Sequence, residues 1–99
     1  MMPPNDPLEW HRRALAGESL PITTTPECGW FLQKNGKGSF LPASIYWERQ
    51  VDENGEIIGD DILRAEVGGA ARDPEEIWPW LAKRPISKSE YDKYLEAMF

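Results

Sequence analysis

The chain has 99 residues, enough for one domain with a modest core and too few for a core plus a deep enclosed active site. A 40% hydrophobic content with five tryptophans excludes a disordered chain, and the single cysteine, Cys28, excludes an internal disulfide. The net charge of −6 is unevenly placed: nine acids between Asp52 and Glu76 face only Arg64 and Arg72, which excludes the clustered cations of phosphate-backbone binding.

Residues 1–5 are expected to be flexible. They lack the basic start and apolar run of a signal peptide, and no apolar run approaches the roughly 18–20 residues of a membrane span, so a cytoplasmic protein is expected. Asp6-Pro7 reads as an N-cap and first helical position, with Gly17 as the stop. Leu8, His11, Ala14 and Leu15 then form an apolar stripe with Trp10 at its margin, and Glu9 and Arg13 pair on the wet side. His11, the only histidine, is read as a partly buried core residue, since no second histidine exists to complete a metal cluster. In the connection Glu18–Glu27, the segment 22–25 between Pro21 and Pro26 is expected to run extended along a sheet edge. Cys28 is read as a small inert thiol, because nothing places a base beside it.

The centre of the chain is an antiparallel meander. Gly29–Lys34 and Ser39–Gln50 flank Asn35-Gly36-Lys37-Gly38, which supplies the positive-φ residues of a tight hairpin. Within the second run, Leu41, Ala43, Ile45 and Trp47 share one face and Phe40, Ser44, Tyr46 and Glu48 the other. Pro42 interrupts that pattern and suggests an edge, a bulge or a later strand start. Asp52-Glu53-Asn54-Gly55 turns the chain into Glu56–Ile58, and strand character resumes at Ile62–Val67. A calcium loop counted from Asp52 fails, because its sixth and twelfth positions are Ile57 and Leu63. Gly68-Gly69 offers a further hairpin returning through Ala70–Arg72, without the spacing of a dinucleotide loop.

Asp73-Pro74-Glu75-Glu76 carries an N-cap, a first-position proline and a capping-box acid, so a helix follows, short or kinked because Pro79 cannot donate its backbone bond. Ile77, Trp80 and Leu81 share its inward face, which leaves Trp78 projecting away. Ser87 and Glu90 form a second capping box, and Tyr91, Tyr94, Leu95 and Met98 make an amphipathic helix that closes over the sheet. The expected architecture is therefore a single α+β domain over 1–99: a meander of three to four strands, an N-terminal helix and two short C-terminal helices.

The runs Pro26–Phe31, Leu41–Trp47, Leu63–Gly69, Asp73–Leu81 and Arg84–Ser87 together resemble small accessory proteins encoded by bacteriophages and prophages. The resemblance spans most of residues 8–95 and implies expression inside a bacterium. It assigns no role to any residue.

The functional expectation is a non-enzymatic, acidic binding module acting through a protein partner, with neither metal nor cofactor and with no direct binding to nucleic acid or membrane. Its expected contact residues are Trp78 as aromatic anchor, flanked by Glu75 and Glu76, with Asp60 and Asp61 adding charge. One alternative is an inhibitor of host defence, of anti-restriction or anti-CRISPR type, whose carboxylates stand in for phosphates. Another is a small metal-assisted hydrolase recruiting Asp60, Asp61 or Glu66.

Overall fold

The computed structural model describes residues 6–20, 25–36 and 38–98. The expectations for 1–5 and 22–24 lie outside them. Helix α1 (Glu9–Leu15) precedes strands β1 (Gly29–Asn35), β2 (Ser39–Glu48), β3 (Ile62–Val67) and β4 (Ala70–Arg72). Helix α2 (Pro74–Leu81), strand β5 (Pro85–Ile86) and helix α3 (Lys88–Met98) complete the chain. The strands form one antiparallel sheet in the order β4-β3-β2-β1-β5, so the fold is α+β. The meander is as expected, and β5 adds a fifth strand on its far side by pairing with β1.

Two glycines set the first hairpin: Gly36 at φ +63° and Gly38 at φ +85° turn the chain so that Asn35 pairs with Ser39. Pro42 needs no bulge, although it lies inside the central strand β2. Its carbonyl accepts from Gly68 N at 2.8 Å, so its ring nitrogen faces the same side, where β3 has just ended at Val67. Between β2 and β3, residues 50–58 form a small arm held by the Val51↔Ile57 bridge. The Asp52 carboxylate accepts from Asn54 N and Glu56 N, both at 2.9 Å, so it closes its own turn.

The alternation read from β2 holds. On the first face of the sheet, Phe31, Ala43, Ile45, Ala65 and Val67 are buried against Ile77, Trp78, Leu81 and Ala82 from α2 and its C-cap. Trp10 of α1 joins them, its ring 5.0 Å from that of Trp78 and 6.4 Å from Phe31. Each such aliphatic or aromatic side chain contributes roughly 1.5–3 kcal/mol on burial. The second face carries Trp30, Pro42, Ser44, Tyr46 and Glu66, with α3 across it. The Ser87 cap forms as expected, receiving Glu90 N at 3.1 Å. Yet α3 buries no residue fully, with Tyr91 and Leu95 half-buried and Tyr94 and Met98 exposed. It rests on the sheet and does not close it.

Helix α1 begins two residues later than expected. Asp6 still organises the turn before it: its carbonyl accepts from Glu9 N at 3.2 Å and its carboxylate from Leu8 N at 3.3 Å. Arg13 pairs with Glu18 at 3.1 Å, and Arg12 with Asp6, in place of the expected Glu9–Arg13 contact. Leu15 is exposed, whereas His11 is buried. His11 Nε2 donates to Ile86 O at 2.7 Å and to Trp30 O at 3.0 Å, two carbonyls of one cross-strand pair. Gly29, at φ +154°, lets the imidazole approach: a Cβ there would lie 2.4 Å from His11 Cδ2.

Candidate functional site

Trp78 is not an exposed anchor. It is only 1% accessible and meets Phe31 edge-on at 5.7 Å, while Trp80 is 58% exposed with the Lys83 ammonium 5.8 Å from its ring. The reversal has a geometric cause. On a helix of 3.6 residues per turn, Trp78 and Trp80 both lie about 80° from the line midway between Ile77 and Leu81. Periodicity alone cannot choose between them. Trp10 and Phe31 decide it, since together they form an aromatic box for Trp78.

The carboxylates expected beside that anchor take separate positions. Glu76 is exposed and pairs with Arg72 at 3.5 Å. Asp60 is exposed on the approach to β3, where its backbone carbonyl receives Gln50 Nε2 at 3.1 Å. Asp61 and Glu75 come together, however, on the walls of one cleft of about 340 Å³ at the end of the first face. Asp73 joins them because it caps α2, receiving Glu75 N at 3.0 Å and so holding the first turn of that helix against the sheet. Trp47 and Leu63, a cross-strand pair on β2 and β3, supply an apolar surface beside the first turn of α2, and Pro26 borders it.

Asp61 and Glu75 make no ion pair or hydrogen bond through their carboxylates among the described residues, so the cleft is uncompensated negative charge over an aromatic and aliphatic surface. Among the described residues no group of three His, Cys, Asp or Glu side chains is arranged to hold a metal ion, so these acids are spread around the cleft rather than converged on a point. That spacing suits separated cationic groups on long apolar stems. Trp47 was missed in the sequence as a site residue, and its signal was its place at the far end of β2, past the last residue paired with β1.

Cys28, just before β1, is buried, and desolvation followed by the charge of Glu27 pushes its thiol up to about 11. Such a group is a poor nucleophile at neutral pH. Among the described residues no helix is long and apolar enough to cross a membrane. Compared with protein-family models, curated proteins and solved structures, the chain matches none, so its function must be read from the site itself.

Proposed function

We propose that the chain is a non-enzymatic acidic binding module that engages a basic segment of a partner protein through the Asp61–Asp73–Glu75 cleft. The observation that supports this is the pairing, in one concavity, of the unanswered Asp61 and Glu75 carboxylates with the Trp47–Leu63 surface. Lysine and arginine side chains need both: an acceptor for the head group and an apolar bed for the stem. The setting that goes with this reading is the bacterial cytoplasm, with the chain acting as a phage or prophage accessory protein.

A charge-mimicking inhibitor needs a broad field of free carboxylates, whereas several acids of this region are engaged locally. Asp52 closes its turn, Asp73 caps α2 and Glu76 pairs with Arg72. A single cleft with an apolar bed therefore accounts better for the arrangement. The test is a pull-down from bacterial lysate with wild type and the Asp61→Asn/Glu75→Gln double variant, read by mass spectrometry at two salt concentrations. A partner retained by wild type and lost from the variant supports the reading, as does a binding segment in that partner rich in Lys and Arg. Equal retention by both proteins refutes it.

A further inference from the structure

The second face of the sheet carries a larger cleft, of about 510 Å³, which meets the acidic cleft only at Trp47. One cross-strand row forms its centre: Trp30 of β1, Ser44 of β2 and Glu66 of β3 lie side by side in register. Tyr46, two residues further along β2, and Tyr91 of α3 complete the aromatic walls. Several of the charges around it answer one another. Asp6 pairs with Arg12, Glu48 with Arg64 at 2.6 Å and Lys88 with Asp92 at 2.6 Å. Glu66 has no ion-pair or hydrogen-bond partner among the described residues.

Ser44 strengthens the argument independently. It is only 7% exposed, it lines the cleft, and its hydroxyl has no hydrogen-bond partner among the described residues. That hydroxyl opens onto the cleft, so an N–H group held there can donate to it. A carboxylate can only accept, and a hydroxyl can accept too, so one ligand donating N–H groups satisfies both. The rings favour a cation: the Lys88 ammonium already lies 5.9 Å from the Trp30 centroid and 5.7 Å from that of Tyr91. Burial, and after it the charges of Glu66 and Glu48, raises the Tyr46 hydroxyl above its ordinary value, in keeping with an electronegative cleft.

We propose that this cleft binds a primary alkylammonium group, with Glu66 as counter-charge, Ser44 as second acceptor and Trp30, Tyr46 and Tyr91 as walls. A compact ammonium matches one carboxylate and one hydroxyl, whereas a guanidinium presents five donors in a planar fork and would leave several unmet. A quaternary ammonium has no N–H for either acceptor. The group can belong to a free amine or to a lysine side chain.

Titration of isotopically labelled protein with butylammonium, with neutral butanol and with a blocked glycine–lysine–glycine peptide tests this by amide chemical shifts. Butylammonium is expected to shift Trp30, Ser44 and Glu66 saturably, and butanol to bind at least about tenfold more weakly. Glu66→Gln keeps shape and fold and is expected to lower the affinity about tenfold or more, with a smaller loss in Ser44→Ala. Tighter binding of the peptide assigns the site to a lysine side chain, and tighter binding of butylammonium assigns it to a free amine. Equal binding of butanol and butylammonium overturns the proposal. So does full affinity in Glu66→Gln, or shifts confined to Asp61 and Glu75.

Discussion

Helix α2 sinks Ile77, Trp78 and Leu81 into one face of the sheet, whereas the longer α3 buries nothing fully on the other. The strands themselves set this difference. Beneath α2 the sheet offers Ala43 and Ala65 between the larger Phe31, Ile45 and Val67, and the small side chains let a helix approach closely. Beneath α3 it offers Trp30, Tyr46 and Glu66, which are large or charged and hold the helix away. Five of the eleven residues in α3 are charged, and Lys88 pairs with Asp92 on its surface. One face thus supplies stability, and the other keeps open the space that a ligand needs.

Mutations that treat the two faces alike are expected to behave very differently. Trp78→Ala should be the most damaging, lowering unfolding free energy by about 3–5 kcal/mol in chemical denaturation, because it empties the aromatic box. A loss below about 1 kcal/mol would mean that the first face is not the core.

Cys28 probes the boundary, since it is buried yet lines the larger cleft. With its thiol raised from 9.0 to about 11, alkylation at pH 8 should be about a hundredfold slower in the folded protein than in urea. The unfolded chain releases this proton first as pH rises, so the Cys28 contribution to stability is complete below pH 9.0 and is lost through about 11. A Cys28→Ala variant whose stability falls just as steeply over that interval would show that the thiol is not the group responsible.

On the second face, Leu95→Ala is expected to cost only about 1–2 kcal/mol, at or below the lower end for a core leucine, because its side chain is half-buried. A loss as large as that of Trp78→Ala would show α3 to be docked as firmly as α2. Trp80→Ala should change stability by no more than about 0.5 kcal/mol, as an exposed substitution does. Thermal melts of the Trp78 and Trp80 variants, run together, test directly which tryptophan the helix buries.

The features legible in the sequence were those fixed by neighbours along the chain. The Asn35-Gly36 hairpin, the alternation from Leu41 to Trp47 and the caps at Asp73 and Ser87 each depend on a few adjacent residues, and each forms. Contacts between distant segments were not legible. Strand β5 has only two residues, too short for any periodicity, and its partner β1 lies more than fifty positions earlier. The choice between Trp78 and Trp80 was a tie by helical angle, broken by Trp10 from the other end of the chain. Of the first cleft's acids, Asp61 and Glu75 were among the expected contact residues and Asp73 was read only as a cap; the three line one cleft because β3 and α2 are folded side by side.

His11 joins sequence positions 75 apart through its bond to Ile86. A two-residue strand has too few ladder bonds to hold itself in place, so the persistence of β5 depends on the imidazole that clasps its carbonyl. Release of α1 would free β5 at the same moment, making the two a single cooperative opening unit. Amide hydrogen exchange would register this as a common protection factor for α1 and β5, below that of β2 and β3. The sheet would then loosen first at its β5 edge, where the beginning of the chain holds its end.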